Sequence, residues 1–183
     1  KQYLQLDKLR DAMFYVAERV FKYKFTPTKV GEISVFHEDV KVWKVSNLES
    51  GEYIGLWYLD PYAREGKRSG AWATTYRSFT SFQGKTVVLA SNNSNFIKPA
   101  SGNLSLVSWD DATTLFHEFG HALNYFSSKS IYPSLNGGVR DYIEFQSQLL
   151  ERWLSTKEVI NNFLVHYKTG KPIPEILVEK IKK

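Results

Sequence analysis

The segment TLFHEFGHALN, residues 114–124, constrains this chain more than any other. It carries two histidines four positions apart, His117 and His121, with Glu118 directly after the first. Residues at i and i+4 lie on the same side of an α-helix, roughly 6 Å apart along its axis. The spacing therefore predicts a helix that points two imidazoles at one ion, and the apolar neighbours of the motif agree with a helix.

Glu118 falls about 100° around the predicted helix from His117, beside a bound metal rather than on it. There a carboxylate can take a proton from a water molecule at the metal, as the general base of a metalloprotease does. The chain has no cysteine, so any metal must be held by His, Asp or Glu. We therefore predict one zinc ion held by His117 and His121, with Glu118 as the catalytic base.

A catalytic zinc ion needs a third protein ligand and keeps one position open for water or substrate. After His121 the only histidine is His166, so the candidates are polar side chains of the next predicted helix. Four of them fall at i, i+3, i+7 and i+10 along one stripe: Asp141, Glu144, Gln148 and Glu151. A helix that faces solvent shows the same stripe, so spacing alone does not choose among them.

The rest of the chain predicts an α+β fold, mainly helical, with a small antiparallel sheet followed by the active-site helices. Apolar periodicity predicts helices over residues 3–21, 109–127, from 139 onward, and near 156–168 and 174–182. Alternating β-rich segments predict strands within 32–47 and 51–63, joined by the turn NLESG, and a shorter strand within 85–93. Because no repeat or second-domain boundary is visible, we expect a single domain over residues 1–183.

The net charge of +5 is spread over the chain. REGKR, residues 64–68, is too short for a nucleic-acid patch, and we interpret it as a solvated loop. No apolar run approaches the ~20 residues that cross a bilayer, so we expect neither nucleic acid nor membrane as a partner. The lack of cysteine agrees with a reducing compartment, and we expect the cytoplasm, with the periplasm or another compartment as the alternative. His37 is expected on a strand and His166 at a helix end, both without a metal role.

TLFHEFGHAL followed by RDYIEFQSQLLERW resembles the thimet-oligopeptidase family of zinc peptidases, and its peptidyl-dipeptidase (dipeptidyl carboxypeptidase) branch in particular. FHEDVKVWKV, YLDPYAREGKRSGAW and SNFIKP agree with the family in the same order. The resemblance implies that Glu144 is the third zinc ligand. Asp141, Gln148 and Glu151 remain candidates for hydrogen bonds to the ligands, and Gln148 or Glu151 would fix the tautomer of a ligand histidine.

The resemblance also implies a gluzincin-like helical fold, with a small sheet beside the site and a deep channel that admits short, unstructured peptides. The chain would then be the metal-binding, catalytic segment of a larger peptidase that releases C-terminal dipeptides. Two other interpretations stay open. One is an endo-acting oligopeptidase with the same site, and the other is a zinc-binding fragment or binding module with no activity of its own.

The sequence departs from the family pattern at three places. Asn124 stands where the family usually has histidine, and the loop SLNGGVRD is about two residues short. The Gly- and Tyr-rich segment that supplies the family's oxyanion donors does not follow Glu151. We therefore expect missing parts of the parent chain to complete the substrate channel, and the chain alone to be a poor peptidase.

Overall fold

Five α-helices, a short 3₁₀ helix (Pro133–Leu135) and a five-stranded sheet make up the computed structural model, which describes residues 1–136 and 138–182. The helices are α1 (Leu6–Phe21), α2 (Trp109–Ser127), α3 (Arg140–Trp153), α4 (Lys157–Phe163) and α5 (Glu175–Lys182). The strands are β1 (Tyr23–Pro27), β2 (Lys41–Asn47), β3 (Tyr53–Tyr62), β4 (Trp72–Arg77) and β5 (Val88–Phe96). The predicted α+β class is confirmed.

The sheet is mixed, so the prediction of a purely antiparallel sheet is wrong. Its order is β1-β2-β3-β5-β4, and β3 and β5 run parallel while the other neighbours run antiparallel. The reason is that β4 takes the outer edge, so β5 returns beside β3 in the same direction. Gly55 makes this pairing possible, because a Cβ there would lie 1.9 Å from the carbonyl oxygen of Val88.

Two strands, β1 and β4, lie outside the predicted set. β1 begins directly after Lys22, whose left-handed conformation (φ 58°) ends α1. Its Pro27 indicates a break in the local pattern, yet the strand pairs along its whole length with β2. β4 is an edge strand of half-buried and exposed residues, without the alternation that marks a strand in sequence. Both strands depend on distant pairing partners.

His37 lies in a turn before β2, so the prediction that it lies on a strand is wrong. The backbone N–H of Val40 donates to the carbonyl oxygen of His37 at 3.1 Å. The N–H of Asp39 donates to His37 Nδ1 at 3.2 Å. These local bonds satisfy the backbone without a neighbouring strand.

The segment at residues 64–68 is a loop with exposed residues, as predicted, but Arg64 and Lys67 pair with a buried carboxylate. Arg64 bonds both carboxylate oxygens of the buried Asp60, at 2.7 and 2.9 Å. The side chain of Lys67 is itself buried, lies 3.1 Å from Asp60 Oδ1, and donates to the carbonyl oxygens of Asp60 and Tyr62. Burial alone would raise the pKa of Asp60, but the hydrogen bonds and charges of Arg64 and Lys67 bring it below its ordinary value.

An aromatic cluster fixes α1 and α2 against one face of the sheet. The fully buried ring of Trp57 on β3 lies 5.3 Å from Phe119 of α2 and 5.4 Å from Phe14 of α1. Both contacts are edge-to-face, the arrangement that aromatic quadrupoles favour. The Trp57 indole N–H donates to Asn92 Oδ1 at 2.6 Å, so its donor is satisfied inside the core.

Helix α2 has the predicted bounds and is capped by Ser108. The Ser108 hydroxyl accepts from the N–H of Asp111 at 3.0 Å, and the Asp111 carboxylate accepts from the N–H of Ser108 at 2.9 Å. One stripe of the helix is buried in the core: Ala112, Leu115, Phe116, Phe119, Gly120, Ala122, Leu123 and Phe126. His117 and His121 fall outside that stripe.

α3 and α5 lie close to their predicted ranges, but α4 ends at Phe163, five residues before the predicted end. The prediction that His166 lies at a helix end is therefore wrong, because the chain has already left the helix there. α3 packs on α2, whereas α4 contacts α1. In the described part of the chain, no helix combines the length and the apolar character that crossing a membrane would require.

Candidate metal centre

The two histidines of the HEFGH motif lie side by side on α2. Their ring centroids are 4.9 Å apart and their planes are close to perpendicular, at 81°. Their side chains are only partly covered, with 23% of His117 and 12% of His121 exposed. The helix thus presents both imidazoles on one side, as the four-residue spacing requires.

Glu144 on α3 brings a carboxylate to both histidines. Its Oε2 lies 3.0 Å from His117 Nε2 and 3.4 Å from His121 Nε2. One ligand atom from each of the three residues lies within 4.8 Å of the others. Two imidazoles and one carboxylate are the donor set of many catalytic zinc sites, so the residues present fit Zn²⁺.

Close contact between α2 and α3 makes this convergence possible. A Cβ at Gly120 would lie 2.6 Å from Ser147 Cα, 3.2 Å from Ser147 N and 3.3 Å from the carbonyl oxygen of Gln146. Because residue 120 is glycine, the backbones of α2 and α3 can come close together at this point. This brings the motif histidines on α2 near Glu144 on α3.

Of the three candidates for hydrogen bonds to the metal ligands, Glu151 contacts a ligand histidine and, in the part of the chain that the structure describes, Gln148 does not. Glu151 Oε1 lies 2.5 Å from His117 Nδ1, the nitrogen that the cluster does not use. Gln148 is exposed, and no hydrogen bond to the cluster is found for it among the described residues. Asp141 lies in α3, but its side chain is outside the described part of the structure.

Glu118 lies next to His117 on α2 and is half-buried. Burial raises the pKa of Tyr125, a hydrogen bond with Thr75 lowers it, and the charges of Glu118 and Glu144 raise it further. Both carboxylates thus act on one tyrosine between α2 and the edge strand β4. Sequence reasoning missed Tyr125, although its position four residues after His121 places it on the same side of the helix.

Three other residues singled out in the sequence do not join the cluster. His37 Nδ1 lies 3.7 Å from Asp39 Oδ2. His166 follows α4 in a turn, where its Nδ1 accepts from the N–H groups of Lys168 and Thr169. Asn124 lines a separate cleft of about 320 Å³ between α2 and the start of α3.

The cluster of two histidines and one glutamate has the donor set of a zinc metallopeptidase. Comparison with known families agrees with this class. The family model described as Peptidase family M3 matches residues 1–183, so the chain belongs to that family. The resemblance to the thimet-oligopeptidase family is thereby confirmed.

Named relatives of the chain include both dipeptidyl carboxypeptidases and oligopeptidases. The dipeptidyl carboxypeptidase of Escherichia coli (strain K12) is 35% identical over 185 residues, which is 100% of this chain and 27% of that protein. Oligopeptidase A of the same strain is 33% identical, over 99% of this chain and 27% of that protein. A thimet-like oligopeptidase of Dictyostelium discoideum is 34% identical, over 99% and 28%. The chain thus spans little more than a quarter of these relatives.

Proposed function

We propose that this chain binds one zinc ion through His117, His121 and Glu144 and supplies the catalytic metal centre of a peptidase. The observation that carries the proposal is the convergence of three ligand atoms from two helices within 4.8 Å. Membership in Peptidase family M3 supports it independently. Zinc bound there would polarise a peptide carbonyl and lower the pKa of a water molecule.

In this proposal Glu118 accepts the proton of the attacking water. It is the carboxylate beside His117 that makes no short contact with either histidine among the described ion pairs, so it stays available as a base. Glu151 acts on His117 instead. With a proton on Nδ1 directed at Glu151, the lone pair of His117 Nε2 is free for a metal.

The test separates ligand from base. In Glu118→Gln we expect zinc to stay, at one ion per chain by elemental analysis, while hydrolysis of a fluorogenic peptide is lost. In His121→Ala one of three ligands is gone, so zinc content should fall sharply. Glu65→Gln, an exposed glutamate between β3 and β4, is the matched control and should change neither. Loss of metal in Glu118→Gln would show that Glu118 is a ligand, and full zinc in His121→Ala would refute the ligand set.

We propose short peptides as substrates, with release of C-terminal dipeptides as the preferred mode. An endo-acting oligopeptidase is the second candidate, because relatives named oligopeptidase are nearly as similar to this chain as the dipeptidyl carboxypeptidases. Mass analysis of products from one peptide with a free and an amidated C-terminus separates the modes. A dipeptidyl carboxypeptidase should release dipeptides only from the free form, whereas internal cleavage of both forms would favour the oligopeptidase.

We further propose that this chain alone hydrolyses peptides poorly, because other parts of the parent protein complete its substrate channel. Each oxyanion donor contributes about 10²–10³-fold to the rate. The cluster on α2 and α3 supplies metal ligands, His117, His121 and Glu144. The zinc-loaded chain and the intact parent should therefore differ by roughly 10²–10⁶-fold on the same peptide, for one or two absent donors. A difference below tenfold would show that donors within residues 1–183 complete the site.

A further inference from the structure

We infer that Ser147 is a positioning residue that holds Glu144 in the orientation a metal ligand requires. The inference rests on the proposed zinc site. Ser147 lies one turn after Glu144 on α3, and it is fully buried where α3 meets α2. A buried serine hydroxyl needs a hydrogen-bond partner, and here that partner is Glu144 itself.

The hydroxyl of Ser147 acts on one particular oxygen of Glu144. Ser147 Oγ lies 2.9 Å from Glu144 Oε2 and 3.0 Å from the backbone oxygen of Glu144. A hydroxyl has one proton to donate, and the charged carboxylate is the stronger of the two acceptors. Oε2 is also the oxygen that lies 3.0 Å from His117 Nε2 and 3.4 Å from His121 Nε2.

This hydrogen bond matters most when a metal is bound. The side chain of Glu144 is 51% exposed and has three rotatable bonds, so it loses rotamer freedom when it is held in one orientation. An imidazole whose Nε2 lone pair is given to a metal cannot donate a proton from that nitrogen. Among the described residues, Ser147 is then the donor that still holds Oε2.

Ser147 is itself fixed relative to the helix that carries the histidines. Its Cα and N are the atoms closest to Gly120, where a Cβ would lie at 2.6 and 3.2 Å. The hydroxyl therefore starts from a point whose distance to α2 is set by backbone packing. In this way the contact between the two helices also determines where the carboxylate of Glu144 lies.

The experiment compares zinc affinity and the cobalt spectrum in two serine variants. Ser147→Ala removes the donor, whereas Ser155→Ala removes a hydroxyl that likewise bonds the carbonyl oxygen three residues earlier, at Arg152, away from the cluster. Zinc affinity is measured by competition with a chromophoric chelator, and the metal environment by the visible absorption of the Co²⁺-loaded chain. Loss of such a supporting bond typically weakens metal binding by about 10–100-fold. We expect that loss and an altered cobalt spectrum in Ser147→Ala, and neither in Ser155→Ala.

Three controls make each outcome decisive. Ser147→Thr keeps a hydroxyl and should return affinity most of the way to that of the wild type. Circular dichroism of the metal-free variants should show unchanged helix content, because alanine is the best helix former. Ser147→Ala with wild-type affinity and spectrum, or with lost helix content, would refute the positioning role. A wild-type chain that takes up no zinc would instead refute the proposed function, and this inference with it.

Discussion

Gly120→Ala is the sharpest test of how α2 and α3 build the metal centre. The added Cβ would lie 2.6 Å from Ser147 Cα, whereas ordinary contacts of this kind begin at 3.4 Å. The obstacle is helix backbone and not the end of a flexible side chain, so it cannot rotate away. The helices must therefore separate locally by at least 0.4 Å to bring this distance to 3.0 Å, and by 0.8 Å to reach an ordinary contact at 3.4 Å.

The expected stability change is small because two effects oppose each other. Overpacking a closely packed contact costs about 1–3 kcal/mol, while replacing glycine by alanine within a helix gains about 1 kcal/mol. The net loss is about 0–2 kcal/mol, which lowers the Tm of a chain of this size by roughly 0–8 °C. The site should suffer more, because ligands must be held within about 0.5 Å of their productive geometry. We expect zinc affinity to fall by about tenfold or more.

The assay measures zinc dissociation by chelator competition, and the Tm of the metal-free chain by circular dichroism. Gly138→Ala is the matched control, because its Cβ would meet the Cγ1 atom of the flexible Ile143 side chain at 3.3 Å. That variant should keep wild-type affinity. If Gly120→Ala binds zinc as tightly as the wild type, the two helices do not meet at Gly120 as described.

Two further predictions concern the carboxylates of Glu151 and Asp60. Glu151→Gln keeps the size of the side chain but weakens the acceptor for His117 Nδ1. Zinc affinity should therefore fall about tenfold with Tm unchanged, and an unchanged affinity would exclude this role. Asp60→Asn leaves Lys67 buried without its counter-charge and should destabilise the chain by about 3–5 kcal/mol in denaturant titrations at pH 7. Because the pKa of Asp60 is lowered from 3.8 on folding, its stabilisation is present above that value and is lost as the pH falls through the folded pKa. The stability of the wild type should thus fall more steeply than that of Asp60→Asn below about pH 4, and parallel curves would contradict the shift.

The best-predicted part of the molecule is the part that local sequence determines. The bounds of α2 follow from the capping residue Ser108 and from apolar periodicity, and both signals lie within the helix or next to it. The juxtaposition of His117 and His121 needs only helical geometry. These features could be predicted because no distant contact is required to form them.

The third member of the cluster could not be chosen from spacing. Asp141, Glu144, Gln148 and Glu151 share one polar stripe, and only the rotation of α3 against α2 distinguishes them. That rotation is set where Gly120 meets the backbone of α3, between residues 27 positions apart in sequence. The structure brings Glu144 Oε2 to both histidines and Glu151 Oε1 to the far side of His117.

The sheet was harder to predict, for the same reason. β1 exists because β2 pairs with it, and β4 exists because β5 does. The parallel pairing of β3 and β5 depends on where β4 inserts, which no local pattern encodes. Lys67 likewise looks like a surface charge until Asp60 lies beside it in the fold.

Phe119 and Gly120, the two residues between Glu118 and His121 in the HEFGH motif, connect the metal ligands to the rest of the fold. Phe119 packs edge-to-face on the buried ring of Trp57, which ties this turn of α2 to the sheet. Gly120 lies against Ser147, which ties the same turn to α3. The flanking histidines and Glu118 are therefore held from two directions within five residues. A change at either contact should alter metal binding more than its effect on stability suggests, because both contacts set the position of ligands that tolerate about 0.5 Å of displacement.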